Sequence, residues 1–381
     1  DYAAPIARHY KHAGRPAEAA RMYMQAAARA TDQFKLPAAI DFYRKALDLL
    51  RSLPQHLDEQ LEALERLGRL LWRRGRLIEA RDIYRESHDS AGLDGNLLIQ
   101  ARAGNELATV ALEMGDARQA MAEATGAEQS ARLTGADIEQ IDALILQAEA
   151  AWQLGTQESA VEAALRALES ASSLYAPRRF AHASSLIAQF SDDAVRRNTA
   201  LREMRSLAEA LAGQGQTDDA VYAFGQLGEG LLALGRPKEA REALAHALAT
   251  QRDGGSRGEL IELLRLDGLA ACRLGDTGAA LSLLEKAESL ADESGDRYLR
   301  LACRLAAGEV LLARGELAAA EATLRQVITA AENRQRLGNW AQLIVARDLL
   351  VEALNRQGRT DEARLAGLAT SHQRTFIDSP P

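Results

Sequence analysis

Apolar residues recur along the chain at the spacing of amphipathic helices, and glycines separate the apolar segments at regular intervals. An alanine follows each of these glycines after five residues. Apolar positions at this spacing lie on one face of a helix. Most of the glycines lie forty residues apart, so the pattern predicts a repeated pair of helices. The glycines are Gly14, Gly75, Gly115, Gly155, Gly235, Gly275, Gly315 and Gly358.

Each position around the glycine has a physical role. Glycine accepts the left-handed conformation in which helices commonly end, and the alanine is small where two helices approach closely. Large apolar residues precede the glycine by three positions and follow it by nine. The preceding positions hold Trp72, Leu112, Trp152, Leu232 and Leu312, and the following positions hold Tyr23, Tyr84, Leu244, Leu284 and Leu324. We expect the helices just beyond these and similar glycines to be N-capped by Asp116, Thr156, Thr217, Asp276 and Thr360.

A single helix pair cannot bury its apolar face, so neighbouring pairs must stack. The sequence therefore predicts an all-α fold, an α-α superhelix (solenoid) of about nine helical hairpins with a period of about forty residues.

Composition narrows the classes of function. Of the 381 residues 47% are hydrophobic and 4% aromatic, and 76 are alanine. This composition supports a large helical core and excludes wholesale disorder. The net charge of −8 argues against a nucleic-acid partner. No apolar run is long enough for a membrane span, so we expect no membrane partner.

The termini and cysteines suggest a location. Cys272 and Cys303 have neither a disulfide framework nor zinc spacing. With no signal peptide expected, we predict a cytoplasmic protein. The sequence starts at Asp1 inside a helical pattern, and we expect it to be covalently joined to other domains in a longer polypeptide.

The segments after the turn glycines resemble the second helix of a tetratricopeptide repeat (TPR). Residues 75–80, 235–240 and 358–363 each begin Gly-Arg and continue, after two variable residues, with Glu-Ala. The usual period is about 34 residues, and the longer period here resembles the MalT-like subclass. That resemblance implies the C-terminal or sensor arm of a large bacterial ATPase-linked (STAND-type) signalling or transcriptional regulator. It implies a scaffold and no catalytic residue.

One stretch departs from the repeat. Between Ser172 and Thr199 the turn glycine is absent, and Pro177 interrupts a helical pattern. A degenerate repeat that still stacks and a hinge are both open interpretations. We accordingly divide the chain into an N-terminal array (1–175), an irregular repeat or hinge (176–200), a C-terminal array (201–372) and a frayed tail (373–381). One continuous solenoid is the alternative.

Motifs for catalysis are missing or lack their context. No glycine is followed by lysine, which excludes a phosphate-binding loop of the Gly-x-x-x-x-Gly-Lys type. Residues 254–258 match Gly-x-Ser-x-Gly, but that motif requires a strand before it, and helical patterns flank it here. We therefore expect no enzyme, no catalytic residues, no cofactor and no metal site.

Two features are candidates for partner binding. Arg66, Arg69 and Arg73 share one helix face and either pair with Glu62 and Glu65 or recognise an anion. Trp340 lies beside polar residues and is less clearly part of the core than Trp72 and Trp152, which we assign to core packing.

The function that follows is a non-enzymatic protein–protein interaction scaffold. An open helical array presents a concave surface that accepts a peptide or a partner protein. The alternative is a receptor for a small-molecule or signal-peptide effector of a transcriptional regulator.

Overall fold

The computed structural model describes residues 2–33, 35–251, 256–332 and 340–368, apart from the side chains of residues 332, 340 and 341. Helices make up nearly all of these residues. They are α1 (Ala3–His12), α2 (Pro16–Asp32), α3 (Leu36–Leu50), α4 (Leu57–Arg73), α5 (Leu77–Asp94), α6 (Leu97–Glu113), α7 (Ala117–Thr134), α8 (Asp137–Gln153), α9 (Gln157–Ser173), α10 (Pro177–Phe190), α11 (Ala194–Gly213), α12 (Thr217–Ala233), α13 (Pro237–Thr250), α14 (Arg257–Arg273), α15 (Thr277–Ser294), α16 (Arg297–Arg314), α17 (Leu317–Glu332), α18 (Trp340–Arg356) and α19 (360–368). A short 3₁₀ turn, Pro54–His56, precedes α4.

The helices pair as the repeat predicts. In the described part of the chain, α1 and α2 form one pair, α3 stands alone, and α4 to α19 form eight further pairs. The single helix α3 explains why the first two turn glycines are 61 residues apart. The first helices of the eight pairs (α4, α6, α8, α10, α12, α14, α16 and α18) contact one another in sequence. The all-α superhelix is therefore confirmed.

Where the two helices of a pair lie closest, one residue of each helix packs against the other. The sequence pattern identified only the position on the second helix. The residue seven before the turn glycine on the first helix packs on the residue nine after it on the second. Four pairs combine glycine with a large residue, and a β-carbon added to the glycine would lie 2.5 to 3.0 Å from that side chain. Two other pairs combine alanine with alanine, so none of these six pairs places two large side chains opposite each other. The first kind is Gly68/Tyr84, Gly228/Leu244, Gly268/Leu284 and Gly308/Leu324, and the second is Ala108/Ala124 and Ala148/Ala164.

The eight turn glycines have φ between 65° and 88°. Tyr175 takes the equivalent conformation between α9 and α10, with φ 50°. Left-handed backbone strains a residue with a β-carbon, and the Tyr175 side chain is exposed.

The predicted caps are partly right. Asp116 and Asp276 each accept a backbone hydrogen bond at 3.0 Å from the third residue beyond them. Thr217 and Thr360 are wrong by one position because their helices begin at these residues. Thr156 occupies the N-cap position, but its hydroxyl donates to the Ala151 carbonyl instead.

The irregular segment forms a helix pair without a turn glycine. Helix α10 packs against α8 and α12 as well as against α9 and α11. An extended Ser191 ends α10, and the Asp193 side chain caps α11 by accepting from two backbone N–H groups. Whether residues 176–200 act as a hinge stays a prediction.

One superhelical turn brings distant pairs together. Helix α16 contacts α4, and α18 contacts α6. The Trp72 and Tyr298 rings stack with centroids 5.5 Å apart. Arg73 Nε lies 3.3 Å from Oδ2 of Asp296, whose side chain is buried. We call these four residues the closing contact. They join α4 to α16, so the first helices from α4 to α16 surround a space that we call the channel.

No helix within the described ranges has the length and apolar character that crossing a membrane requires.

Replacing Gly228 with alanine tests the volume constraint between first and second helices. The added β-carbon would lie 2.7 Å from Leu244 carbons, so we expect G228A to lower the free energy of unfolding by about 1–3 kcal/mol. The double variant G228A/L244A recreates the alanine pair of Ala108/Ala124 and should lose less than the sum of its single variants in denaturant titrations. Additive losses would contradict the constraint.

Gly126 supplies the control. It lies inside α7 with open space around its added β-carbon. G126A should therefore raise the free energy of unfolding by about 0.5–1 kcal/mol, the usual difference between glycine and alanine within a helix.

The closing contact can be tested by opening it. The double variant R73A/Y298A removes the ion pair and the ring stack, so the radius of gyration from small-angle X-ray scattering should increase. Y298F keeps the stacked ring and should retain the wild-type radius. An unchanged radius in R73A/Y298A would show that other contacts hold the turn closed.

Candidate functional site

Polar side chains line the inner surface of the channel in two columns with the forty-residue repeat. The first column takes one residue from each of α6, α8, α10, α12 and α14, and the second takes one from each of α4, α6, α8, α10 and α12. Because the repeat is regular, equivalent positions on successive first helices face the same side. The first column is Arg102, Asp142, His182, Tyr222 and Glu262, and the second is Arg69, Thr109, Glu149, Gln189 and Glu229.

The larger of two cavities on this surface has a volume of about 550 Å³ and is bounded by α4, α5, α6, α8, α10 and α12. This volume falls within the range of about 300–1,000 Å³ that is typical of ligand sites. Residues of both columns line it, so the cavity is part of the channel wall.

Two buried polar atoms in this cavity have no hydrogen-bond partner within the described residues. Asn105 is 8% exposed and donates through Nδ2 to the carbonyl oxygen of Glu139 at 2.9 Å. That bond fixes the amide orientation, and Oδ1 is left unpaired. The Tyr84 hydroxyl is also buried and makes no hydrogen bond of good geometry, although it lies beside the Glu106 carboxyl. Buried polar groups are rarely left without partners, so the Asn105 oxygen above all indicates a site that a polar ligand completes.

Ion pairs between successive first helices hold the cavity wall. Arg102 Nε lies 2.7 Å from Glu139 Oε1, and Arg179 makes two bonds of 2.8 Å to the Asp142 carboxylate. Glu106 makes no ion pair among the described residues. Burial raises its pKa, and the positive charge of Arg69 offsets part of that effect.

The smaller cavity has a volume of about 250 Å³ and shares His182 with the larger one. The Trp152 and Phe190 rings stack in its wall with centroids 4.5 Å apart. Glu149 and Glu229 also line it. Burial disfavours the charged form of His182, but the Glu149 carboxylate 3.0 Å away, together with the charges of Glu229 and Asp142, raises the His182 pKa.

The assignment of Trp152 to the core is wrong. Its side chain is 43% exposed, because Phe190 of the next helix pair occupies the interior and the indole stacks on it. Trp72 is half-buried and belongs to the closing contact.

The candidate arginines lie on α4 but contact different groups. Arg66 pairs with Glu62 at 2.9 Å and Arg69 with Glu65 at 2.8 Å, and Arg73 belongs to the closing contact. Arg69 also lines the larger cavity. A role for these arginines in partner binding stays a prediction. Trp340 begins α18, but its side chain lies outside the described residues, as do residues 254 and 255 of the Gly-x-Ser-x-Gly match.

Sequence reasoning missed Asn105, His182 and Glu229 because each looked like an isolated polar residue. Reading positions forty apart would have revealed the two columns. Asn105 follows no such column, and only the structure places it in the cavity. No group of three or more acidic, histidine or cysteine side chains in the described ranges is arranged to hold a metal ion.

Glu113 lies near the closing contact and offers a test of pH dependence. Burial raises its pKa from 4.5 to about 7, and the nearby Tyr298 hydroxyl offsets part of that effect. The unfolded carboxyl ionises at lower pH, so the folded chain loses stability as pH rises from about 5 to 8. E113Q should therefore melt above the wild type at pH 8, with a smaller difference at pH 5.

The exposed Glu242 on α13 provides the comparison, because E242Q makes the same change of charge outside the channel. An equal effect of E113Q at both pH values would contradict the raised pKa.

A tetratricopeptide-repeat family model matches four segments of the chain, residues 61–86, 221–246, 301–326 and 344–364. These segments lie in the first, fifth, seventh and eighth of the eight pairs that begin with α4. No protein of curated function matches the sequence.

Several solved structures are similar to this chain. A Rap protein complexed with Competence and Sporulation Factor has a TM-score of 0.56 at 16% identity, covering 95% of this chain and 99% of its own. The apo quorum sensor NprR from B. thuringiensis has a TM-score of 0.50 at 14% identity, covering 92% and 97%. A Signal Transduction ATPase with Numerous Domains from Pyrococcus horikoshii, with a tetratricopeptide repeat sensor, has a TM-score of 0.45 at 14% identity, covering 88% and 52%. At these identities the likeness concerns the fold.

Proposed function

We propose that this chain is a non-enzymatic scaffold that binds an extended peptide, or an extended segment of a partner protein, in its channel. The observation that carries the proposal is the unpaired Oδ1 of the buried Asn105 in the larger cavity. An extended peptide presents backbone N–H groups that no structure of its own satisfies. One of them would complete the hydrogen bonding of Asn105.

The rest of the cavity is suited to the same ligand. The Tyr84 hydroxyl supplies a second unpaired group. The columns supply both donors and acceptors along the channel, as a peptide backbone requires. Apolar side chains such as Ile99 and Ile145 lie between them and can contact apolar side chains of the peptide.

The fold neighbours support this class of function. The Rap protein was solved with Competence and Sporulation Factor, and NprR is a quorum sensor. We propose that this chain likewise responds to a bound partner, as the sensor or regulatory arm of a larger bacterial multidomain signalling protein. The period of forty residues, which resembles that of the MalT-like subclass, is the sequence feature that favours a sensor or regulatory arm.

Selection from a random heptapeptide library displayed on phage tests the proposal. The wild-type chain should retain peptides, and synthetic copies should bind in isothermal titration. N105A should weaken that binding by about tenfold, since leaving a buried partner unpaired costs about 1–3 kcal/mol. Q129A removes an exposed amide from α7 on the outer surface and should leave the affinity unchanged.

Three results would count against the proposal. Retention of no peptide would contradict it, and so would equal affinity for the wild type and a folded N105A variant. A large thermal shift with one metabolite, in the absence of any peptide binder, would favour the small-molecule alternative instead.

A further inference from the structure

The smaller cavity combines an aromatic face with negative charge. The Trp152 indole stacks on Phe190 with an interplanar angle of 11°, and its side chain remains 43% exposed. Glu149 and Glu229 line the same space. Aromatic faces and carboxylates both attract cations, and a guanidinium group can contact both at once.

The two carboxylates differ in their partners. Glu149 is paired with His182. Glu229 makes no ion pair within the described residues, and the nearest arginine on α14, Arg265, is held by Glu262 with a bond of 2.9 Å. Burial, together with the negative charge of Glu262, raises the pKa of Glu229. The positive charges of Arg265 and His182 offset part of that effect. Within the described residues, the Glu229 carboxyl thus lies in the cavity without a directly paired cation.

A second acceptor lies beside this carboxylate. Gln226 is one helical turn before Glu229 on α12, and both side chains line the cavity. The Oε1 atom of Gln226 is buried and has no hydrogen-bond partner. A ligand that donates several hydrogen bonds would satisfy both groups. Arginine and lysine side chains do so, whereas neutral amides carry no charge to offset that of Glu229.

We infer that the smaller cavity binds an arginine or lysine side chain of the peptide. This inference rests on the proposed function, because it assigns one residue of the peptide to a specificity site next to the larger cavity. His182 lines both cavities, so a peptide backbone held by Asn105 can extend into the neighbouring space. The cationic side chain would then lie between the indole face and Glu229.

The heptapeptide selection separates this inference from the proposed function. Peptides retained by the wild-type chain should be enriched in arginine or lysine at one position, and those retained by E229Q should lose that enrichment. E169Q makes the same change of charge on the exposed surface of α9, and the peptides that it retains should keep the enrichment. The substitution of Glu229 removes an unpaired buried charge, so the variant is expected to fold.

Titration of one selected peptide makes the test quantitative. Replacing its arginine with citrulline, which keeps the shape and removes the charge, should weaken binding to the wild type by about tenfold. The same replacement should change binding to E229Q by less than about threefold. W152L should also reduce the preference for arginine, because it removes the aromatic face while keeping an apolar residue.

Each outcome has one meaning. If the wild-type chain retains peptides that show no enrichment of arginine or lysine, the inference is overturned and the proposed function still stands. Enrichment that persists in E229Q would overturn the assignment to this cavity. Retention of no peptide by the wild type would overturn both.

Discussion

The whole structure depends on how closely the two helices of each pair approach. In four pairs the second helix carries tyrosine or leucine and the first carries glycine, and in two pairs both helices carry alanine. A small residue on at least one side lets the two helices approach closely, because a densely packed interior leaves no room for two large groups. Pairs that pack in this way stack on their neighbours. The first helices from α4 to α16 contact one another in sequence, and α16 returns to α4.

The regular repeat also arranges the chemistry. Equivalent positions on successive first helices form columns on the inner surface, so side chains forty residues apart in sequence become neighbours in space. Most charged members of these columns are paired, as Arg179 is with Asp142. The exceptions are informative. Asn105 and Gln226 each carry a buried oxygen without a hydrogen-bond partner, and Glu229 makes no ion pair within the described residues. All three line one of the two cavities. Satisfied pairs thus stabilise the wall, and the peptide that we propose would bind at the unsatisfied groups.

Departures from the repeat have local causes. The α10/α11 pair lacks a turn glycine, and at this turn the Asp193 side chain caps the start of α11. Tyr175 takes a conformation that glycine has elsewhere. In the same region Phe190 displaces Trp152 from the interior towards the channel. The irregular pair is therefore also where an aromatic surface becomes available next to Glu229.

The sequence by itself determined the fold class, the helix pairs and their period, because helical periodicity, turn glycines and small residues at close contacts are local requirements. It also offered the ion pairs of Arg66 and Arg69 as one of two interpretations, because their partners lie four residues away on the same helix. It did not reveal the closing contact, since Arg73 and Asp296 are 223 residues apart and meet only after a full superhelical turn. Nor did it identify Asn105 as a candidate site residue. Whether a buried polar atom lacks a partner depends on all its neighbours in space, and only the tertiary structure decides which those are.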